Sequence, residues 1–331
     1  MPRDSFNREV DYLRISVIDR CNLRCVYCMP LQGLRFLPKV ELLTPAEIET
    51  VVRAAVSVGF RKVRLTGGEP TLRSDLLEIV ERVARVPGVG ELALTTNGIL
   101  MRELASPLKA AGLGRVNVHL DSLDPATVER QMRWGTFAEI WNGIEACERA
   151  GLTPIKVNAV VTAGYNEADV VELARLTIAR DWHVRFIELM PLGGGDCATL
   201  SVKRYVSNIE TRRRIEAALG PLFEREGASA SDEARNFTLA GGRGVIGFIS
   251  PVSEPYCGTC NRMRLTAEGK FHLCLLNDDE LDVRSALRSS PGDALGDVAR
   301  ILRRAVGLKP TGHHLLEGRS TRERSMFQIG G

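Results

Sequence analysis

The chain of 331 residues has no long apolar run and little excess of charge of either sign. No stretch approaches the ~18 apolar residues of a membrane span, and Met1–Val10 lacks the apolar centre of a signal peptide. Its 44 Lys and Arg against 41 Asp and Glu leave a net charge of +3, too small to argue for nucleic-acid or membrane binding. We therefore expect a cytoplasmic protein with no nucleic acid and no membrane among its partners.

The chain also lacks the cysteine pattern of a disulfide framework. It has eight cysteines, and six of them fall into two tight groups. In so long a chain, this grouping argues for metal binding. Of the other two, Cys147 lies in a helical pattern and is expected in the core. Cys197 follows a glycine run, and the spacing suggests no partner for it.

The first group places three thiols in eight residues: Cys21, Cys25 and Cys28. It follows the alternating run Leu13–Ile18, so we expect it on the loop that leaves the end of a strand. Thiolates at this density select zinc, copper(I) or an iron–sulfur cluster. A closed zinc site needs a fourth ligand nearby, and the next candidate, His119, is far along the chain. Three ligands favour a cluster with one open iron, and a zinc site that borrows a distant ligand is the alternative.

The second group again has three thiols: Cys257, Cys260 and Cys274. Three cysteines again imply an open position. His272 offers a fourth ligand here, so the spacing leaves a zinc site open as an alternative at this group.

Two arginines alternate directly after the second thiol of this group. Arg262 and Arg264 share one face of a predicted strand beside Cys260. One guanidinium group can donate two parallel hydrogen bonds to phosphate oxygens, so two adjacent guanidinium groups suit a polyphosphate. The alternative is a pair of surface ion pairs, with Glu254 or Asp278 as partners.

Strand and helix signals alternate through the first 190 residues. Helical patterns cover Pro45–Val58, Asp75–Ala84, Met101–Ala111, Phe137–Ala150 and Glu167–Ala179, the last capped by Asn166. Strand patterns cover Leu13–Ile18, Lys62–Thr66, Glu91–Thr95, Arg115–Leu120, Pro154–Val161 and His183–Glu188. Six such units predict a parallel sheet with right-handed crossovers, either an open doubly wound sheet or a barrel.

Polar residues collect on one face of these strands: Arg14, Arg64, Thr95, Asn117, His119, Lys156 and Asn158. A parallel strand buried on both faces would read as a continuous apolar run instead. A flat sheet could not bury these cations without partners, whereas a barrel with a wet, cationic lumen can. The alternation therefore favours the barrel.

Two glycine-rich stretches and the end of the β–α alternation are the remaining features of the sequence. Gly67-Gly68-Glu69-Pro70 follows the second strand, where paired glycines let a backbone approach a ligand and the carboxylate suits an ammonium group. After Met190-Pro191 the β–α alternation ends, and Gly193-Gly194-Gly195 predicts a flexible connection. We therefore divide the chain into domains 1–192 and 193–331. The polar stretch Gly227–Asn236 is expected to be an exposed loop.

Together these motifs resemble a known family. CxxxCxxC with Tyr27 before its third cysteine, followed by the GGEP turn, resembles the signature of radical S-adenosylmethionine (SAM) enzymes. The whole chain resembles the GTP 3′,8-cyclase (MoaA) family of molybdenum-cofactor biosynthesis. The segments that carry this resemblance are Leu13–Pro30, Arg64–Asp75, Thr95–Gly98, Arg115–Asp124, Lys156–Val160, Phe186–Pro191, Ile246–Ser253, Cys257–Thr266, Cys274 and Gln328–Gly331.

The resemblance implies an α/β fold, an incomplete (βα)6 TIM-like barrel closed by a C-terminal α+β region that carries a second iron–sulfur cluster. It implies two [4Fe-4S] clusters, the SAM cluster on Cys21, Cys25 and Cys28 and an auxiliary cluster on Cys257, Cys260 and Cys274. It places SAM at Tyr27, Gly68, His119 and Met190. It places GTP at Arg14, Arg64, Thr95, Lys156, Arg262 and Arg264, and assigns catalysis to Arg14, Arg262, Arg264, Gly330 and Gly331.

The implied reaction is radical cyclisation of GTP. A 5′-deoxyadenosyl radical takes the ribose C3′ hydrogen, the C3′ radical attacks C8, and an electron and a proton complete (8S)-3′,8-cyclo-7,8-dihydro-GTP. The implied partners are a flavodoxin- or ferredoxin-like reductant, a downstream cyclic pyranopterin monophosphate synthase and a second copy of the chain. The family usually has Ser where this chain has His119, which puts that SAM contact in doubt.

Two alternative functions stay open. One is a radical SAM enzyme that modifies peptides and also carries an auxiliary cluster, commonly on more than three cysteines. The other is a zinc-stabilised binding module with no catalysis.

Overall fold

The computed structural model describes residues 1–193, 195–225, 232–289, 292–317 and 320–330. Its strands are β1 Tyr12–Ser16, β2 Lys62–Thr66, β3 Glu91–Thr96, β4 Arg115–His119, β5 Lys156–Val161, β6 His183–Glu188, β7 Leu222–Glu224, β8 Arg235–Leu239, β9 Val245–Ile249, β10 Arg262–Leu265, β11 Lys270–His272 and β12 Glu280–Asp282. Its helices are α1 Pro45–Val58, α2 Leu76–Ala84, α3 Met101–Ala110, α4 Pro125–Met132, α5 Phe137–Arg149, α6 Val170–Ala179, α7 Gly195–Lys203, α8 Asn208–Leu219, α9 Arg284–Ser289, α10 Ala294–Gly307 and α11 Met326–Ile329.

These strands form one sheet in the order β12-β11-β10-β1-β2-β3-β4-β5-β6-β9-β8-β7. The eight strands from β10 to β9 are parallel, and the pairs outside them are antiparallel. Within the described residues the two ends of the sheet do not pair with each other, so the barrel is incomplete. The expected α/β fold with a parallel core is confirmed.

The sheet is curled rather than flat. Arg64 on β2 and Arg185 on β6 both reach the carboxylate of Glu233. Four strand spacings separate β2 from β6, which is about 19 Å in a flat sheet. Two side chains cannot meet across that distance unless the sheet bends. The barrel that the polar alternation predicts is therefore the arrangement found.

The C-terminal region extends this sheet at both ends. β9 pairs with β6 in parallel, with His183 opposite Val245. β10 pairs with β1 in parallel and brings Arg264 level with Arg14. The boundary at 192/193 stays a prediction, because the strands on either side of it share one sheet.

Most element bounds follow the sequence patterns. α1, β2 and β6 have the expected ends, and α1 starts in a capping box in which Thr44 and Glu47 bind each other's backbone. The expected start of α6 at Glu167 is wrong, because the helix begins at Val170. The Asn166 side chain does not cap it; its amide donates to Asp121 O and Val160 O.

Two further helices follow β4 and β6 along the chain. α4 begins at Pro125, where the Asp124 carboxylate accepts from the Ala126 and Thr127 N–H groups. α7 begins at Gly195, where a flexible connection was expected, and it carries Cys197. Gly194 lies outside the described residues.

Apolar residues pack between the sheet and the surrounding helices. Leu13, Ile15 and Val63 are almost fully buried in this core, while Arg14 and Arg64 point to the other face of the same strands. Cys147 on α5 is fully buried in the core, as expected. Among the described residues no helix combines the length and apolar character needed to cross a membrane.

Gly143 on α5 lies where the helix packs closely against the loop after β3. A Cβ at this position would clash with the carbonyl oxygen of Gly98, on the loop after β3. Gly143→Ala should therefore lower the free energy of unfolding by about 1–3 kcal/mol, measured by denaturant titration. Gly307→Ala, where the added Cβ meets nothing within 4 Å, is the matched control and should not destabilise the protein. Equal effects in both variants would contradict this account of the packing.

Candidate active site

Both cysteine groups face one cavity of about 300 Å³. The first group lies on the loop that leaves β1. In the second, Cys257 and Cys260 precede β10 and Cys274 follows β11. The first group follows the carboxyl end of β1, whereas the second lies at the amino end of the neighbouring parallel strand β10, because the antiparallel strand β11 returns Cys274 to that end. The two groups, far apart in sequence, therefore reach the cavity from opposite ends of adjacent strands.

The first cysteine group is a set of buried thiols. Burial raises the pKa of Cys21 to about 11, and it also raises the pKa values of Cys25 and Cys28. Neutral thiols at these positions deprotonate when they bind a metal. Leu23 N–H lies 3.3 Å from the Cys21 sulfur, and the Phe327 backbone N–H donates to Cys28. This soft, partly hydrogen-bonded donor set fits an iron–sulfur cluster.

The second group is more electropositive. Burial alone would raise the pKa of Cys260, but Arg262 and Lys309 outweigh it and lower the value to about 6. Lys309 Nζ lies 3.6 Å from the Cys260 sulfur and 3.2 Å from Leu273 O. These cations favour the thiolate form that binds a metal.

Cys257 has a histidine partner that the sequence analysis did not identify. Its pKa is lowered because a hydrogen bond to His313 outweighs the effect of burial. His313 Nε2 lies 2.7 Å from Pro251 O. His272, the expected fourth zinc ligand, is instead fully buried with Nδ1 3.4 Å from Glu280 Oε1, and it does not line the cavity.

Neither group is arranged around a single ion. Within the part of the chain that the structure describes, no three His, Cys, Asp or Glu side chains converge as ligands of one metal ion. A cubane cluster differs, because each thiolate binds a separate iron. The residues present therefore fit clusters at both groups.

Tyr27 and His119 form one wall of the cavity. The Tyr27 hydroxyl donates to Asp121 Oδ2 at 2.8 Å, and His119 Nε2 lies 2.9 Å from Tyr27 Oη and 3.1 Å from Asp121 Oδ2. Burial lowers the pKa of His119, but the Asp121 carboxylate outweighs it, so the net shift is upward. Asp121 is itself fixed by Val160 N–H and Gln131. His119 thus presents a fixed imidazole to the cavity.

The GGEP turn packs against the first cysteine loop. A Cβ at Gly68 would clash with Arg20 O, so the backbone must pass very close there. The Glu69 carboxylate lines the cavity, and its expected contact with an ammonium group stays a prediction. One oxygen accepts from Thr71 and Thr96 and the other from Asn97 N–H, so Glu69 ties the loops after β2 and β3 together.

The cavity also contains a cluster of four arginines around one glutamate. Glu233 Oε2 lies 2.9 Å from both Arg14 and Arg262, and Oε1 lies 3.6 Å from Arg64 and 3.4 Å from Arg185. The arginine side chains are only 4–8% exposed. Burial raises the pKa of Glu233, but the arginines outweigh it and hold it well below the usual range.

Glu233 corrects an expectation, because it lies in the stretch 227–236 that was predicted to be an exposed loop. Residues 227–231 of that stretch lie outside the described residues. Glu233 itself is largely buried in the arginine cluster, Ala234 is buried, and β8 begins at Arg235. The surface ion pairs considered for Arg262 and Arg264 are also wrong: Arg262 binds Glu233, and Arg264 donates to Gly330 O.

The C-terminal segment enters the same space. The Gly330 carbonyl accepts from Arg264, and a Cβ at Gly330 would clash with Thr66. Gly330 has φ +83°, a conformation that favours glycine. Gly331, the other predicted catalytic glycine, lies outside the described residues.

The structure brings most of the predicted residues together. Those that line the cavity besides the six cysteines are Arg14, Tyr27, Arg64, Gly68, Thr95, His119, Met190, Arg262 and Arg264. Lys156 does not line it, but its charge interacts with Arg64 and Arg185. Cys197 lies close to the first group, with its sulfur 3.8 Å from Val26 O.

Four residues of the site were missed: Arg185, Glu233, Lys309 and His313. Arg185 lies on β6, along which polar and apolar residues alternate less regularly than along the other strands. The other three lie outside any alternating strand pattern, so no local signal marks them.

This partial barrel, with CxxxCxxC on the loop after its first strand, defines a radical SAM protein. Residues 15–177 match the family model of the Radical SAM superfamily, and residues 182–315 match that of Molybdenum Cofactor Synthesis C. The chain is 47% identical over 329 residues to "GTP 3',8-cyclase" of Pelotomaculum thermopropionicum, covering 99% of this chain and 100% of the relative. It therefore belongs to the GTP 3′,8-cyclase family.

A second relative agrees with this assignment, and a solved structure shares the fold. "GTP 3',8-cyclase" of Microcystis aeruginosa is 44% identical over 336 residues, covering 98% of this chain and 99% of the relative. The structure of Streptococcus suis SuiB bound to S-adenosylmethionine matches with a TM-score of 0.58 at 13% identity, covering 84% of this chain and 64% of that one. At that identity the match shows the fold alone.

Proposed function

We propose that this protein cyclises GTP to (8S)-3′,8-cyclo-7,8-dihydro-GTP in molybdenum-cofactor biosynthesis. The observation that carries the proposal is a single cavity with a cysteine group on each side and buried arginines between them. A peptide-modifying enzyme has no need of such a cationic cluster, and a zinc module has no need of the cavity. The activity named for the relatives, GTP 3′,8-cyclase, supports the same reaction.

The cysteine groups would hold two [4Fe-4S] clusters. Cys21, Cys25 and Cys28 would bind the first, and Tyr27, Gly68, His119 and Met190 would bind SAM beside it. Cys257, Cys260 and Cys274 would bind the second. When bound, the first cluster and SAM supply the 5′-deoxyadenosyl radical that takes the C3′ hydrogen of GTP. The Asp121 hydrogen bonds hold Tyr27 and His119 in place for this contact.

The arginines would bind and orient the substrate. Arg14, Arg64 and Arg262 present buried guanidiniums at one end of the cavity, where phosphate oxygens would gain charged hydrogen bonds. Thr95 and Lys156 would complete the GTP site. Burial lowers the pKa values of Arg64 and Arg264 to about 9, so both stay protonated at neutral pH.

The C-terminal diglycine would act at the reaction centre. Gly330 already contacts Arg264, and Gly331 follows it. We propose Arg14, Arg262, Arg264, Gly330 and Gly331 as the catalytic set. The proposed partners are a flavodoxin- or ferredoxin-like reductant, a second copy of the chain, and a cyclic pyranopterin monophosphate synthase that consumes the product.

The direct test is an anaerobic assay of the reconstituted full-length protein with GTP, SAM and a strong reductant. We expect 5′-deoxyadenosine and a cyclised nucleotide by mass spectrometry. Arg262→Ala and Arg264→Ala should each weaken GTP binding by about tenfold or more, because each removes a buried cation, while SAM cleavage persists. Arg213→Ala, on the exposed face of α8, is the control. Unchanged GTP affinity in both site variants would remove them from the substrate site.

Metal analysis separates the enzyme from the zinc module. The anaerobically reconstituted protein should hold about eight iron and eight sulfide per chain. Substituting Cys257, Cys260 and Cys274 together by Ala should leave about four of each. A content of about two zinc ions with no sulfide would instead support the module.

Lys156 predicts a pH dependence of GTP binding. Burial, helped by Arg115, Arg185 and Arg64 and opposed by Glu233, lowers the pKa of Lys156 to about 7. A bound triphosphate favours the charged lysine, so above that pH GTP binding must take up a proton. GTP affinity should therefore fall by up to about tenfold between pH 6 and pH 8, a range that lies below the pKa values of Arg64 and Arg264.

The control for this prediction is Lys156→Arg, which stays charged across the range and should show a much flatter profile. Equilibrium binding of GTP in matched ionic strength measures both proteins. Identical pH profiles would exclude Lys156 as the titrating group.

A further inference from the structure

We propose that Glu233 is an internal anion that holds the arginine cluster of the substrate-free enzyme and must leave it when a polyphosphate binds. The proposal rests on the function proposed above, and it adds an autoinhibitory contact to that site. It makes Glu233 a competitor of the substrate rather than a substrate ligand.

The first argument is geometric. Each carboxylate oxygen of Glu233 serves two arginines, and all four guanidiniums come from strands: Arg14 on β1, Arg64 on β2, Arg185 on β6 and Arg262 on β10. These strands surround the cavity end at which a triphosphate is expected. The carboxylate therefore occupies the place of a phosphate group.

The second argument is that one carboxylate cannot satisfy this cluster. Arg14 Nε, Arg64 Nε and Arg185 Nη2 are buried and lack a hydrogen-bond acceptor among the described residues. A single carboxylate also leaves most of the positive charge of four arginines uncompensated. Buried donors and like charges are costly when unpaired. A triphosphate carries more oxygens and more charge, so exchange of Glu233 for it gains hydrogen bonds.

The third argument concerns which partner can move. The four arginines extend from paired strands in the middle of the sheet, where the backbone is held on both sides. Glu233 precedes β8 and is not part of a strand. Asp232 before it is exposed, so the glutamate can turn toward solvent without disturbing the sheet.

The consequence for binding follows from linkage. An interaction that stabilises the free protein and is broken on binding weakens the binding of the ligand by the same free energy. Removing the Glu233 charge should therefore destabilise the free protein and tighten polyphosphate binding together. A residue that contacted the substrate, or that had only a structural role, would not give this pair of effects.

The test compares Glu233→Gln with wild type in the reconstituted full-length protein. Equilibrium binding is measured with GTP, with inorganic tripolyphosphate and with guanosine, and thermal unfolding is measured with and without GTP. We expect GTP and tripolyphosphate to bind about tenfold tighter to the variant, with guanosine unchanged, because guanosine has no phosphate to compete with the carboxylate. The free variant should melt lower, and GTP should raise its melting temperature by more than it raises that of wild type.

Two further variants complete the experiment. Glu254→Gln removes an exposed glutamate that pairs with Arg235 outside the cluster, and it should bind all three ligands as wild type does. Glu233→Asp keeps the charge but shortens its reach. It should shift binding in the same direction by a smaller factor, and it provides the test if the Gln variant does not fold.

The outcomes separate the two proposals. Weaker or unchanged GTP and tripolyphosphate binding in both Glu233 variants would overturn the role of Glu233 as a competitor. If wild type fails to bind GTP but the variant binds tripolyphosphate tighter, Glu233 is confirmed as an internal anion and the GTP cyclase function is contradicted. If GTP and tripolyphosphate tighten together, the experiment supports both.

Discussion

The burial of several arginines inside a curled parallel sheet is the constraint on which this structure depends. Like charges placed on neighbouring strands repel one another and lose their hydration, so they need a compensating anion or a solvated lumen. The structure provides both. The sheet bends around a cavity, and the carboxylate of Glu233 reaches arginines on β2 and β6 that a flat sheet would keep apart. The same bend places the two cysteine groups on opposite sides of one space.

The register between neighbouring strands places the buried arginines and the cysteine groups around one cavity. β10 pairs in parallel with β1, so Arg264 lies level with Arg14, and the second cysteine group enters the cavity at the end of these strands opposite to the first group. The C-terminal region thus supplies one wall of the barrel rather than a lid placed over it. On the first side, burial keeps the thiols neutral, whereas on the second Lys309 and Arg262 favour the thiolate of Cys260. The two cysteine groups therefore differ in electrostatics although both have three cysteines.

Local patterns carried much of this information. Period-two alternation identified Arg14 and Arg64 as inward-facing, because the face that a strand residue occupies depends only on its neighbours in sequence. Cysteine spacing identified both triplets for the same reason. Glu233 was not predicted as a site residue, because the polar residues around it in the sequence are typical of an exposed loop. Only the curvature of distant strands makes it a buried partner of the arginines. Lys309 and His313 were not predicted either, because their roles depend on where the chain after α10 returns to the second cysteine triplet.

The last turn of the chain shows how closely the two sides are coupled. The backbone N–H of Phe327 in α11 donates to Cys28, and three residues later the carbonyl of Gly330 accepts from Arg264. Phe327 and Gly330, which lie within one segment of four residues, therefore contact the first cysteine group and Arg264. Gly330 can do so only because it lacks a Cβ, which would clash with Thr66, and because it tolerates φ +83°. A displacement of either wall would thus be transmitted to the other through this segment, so the tail fixes their separation as well as entering the cavity.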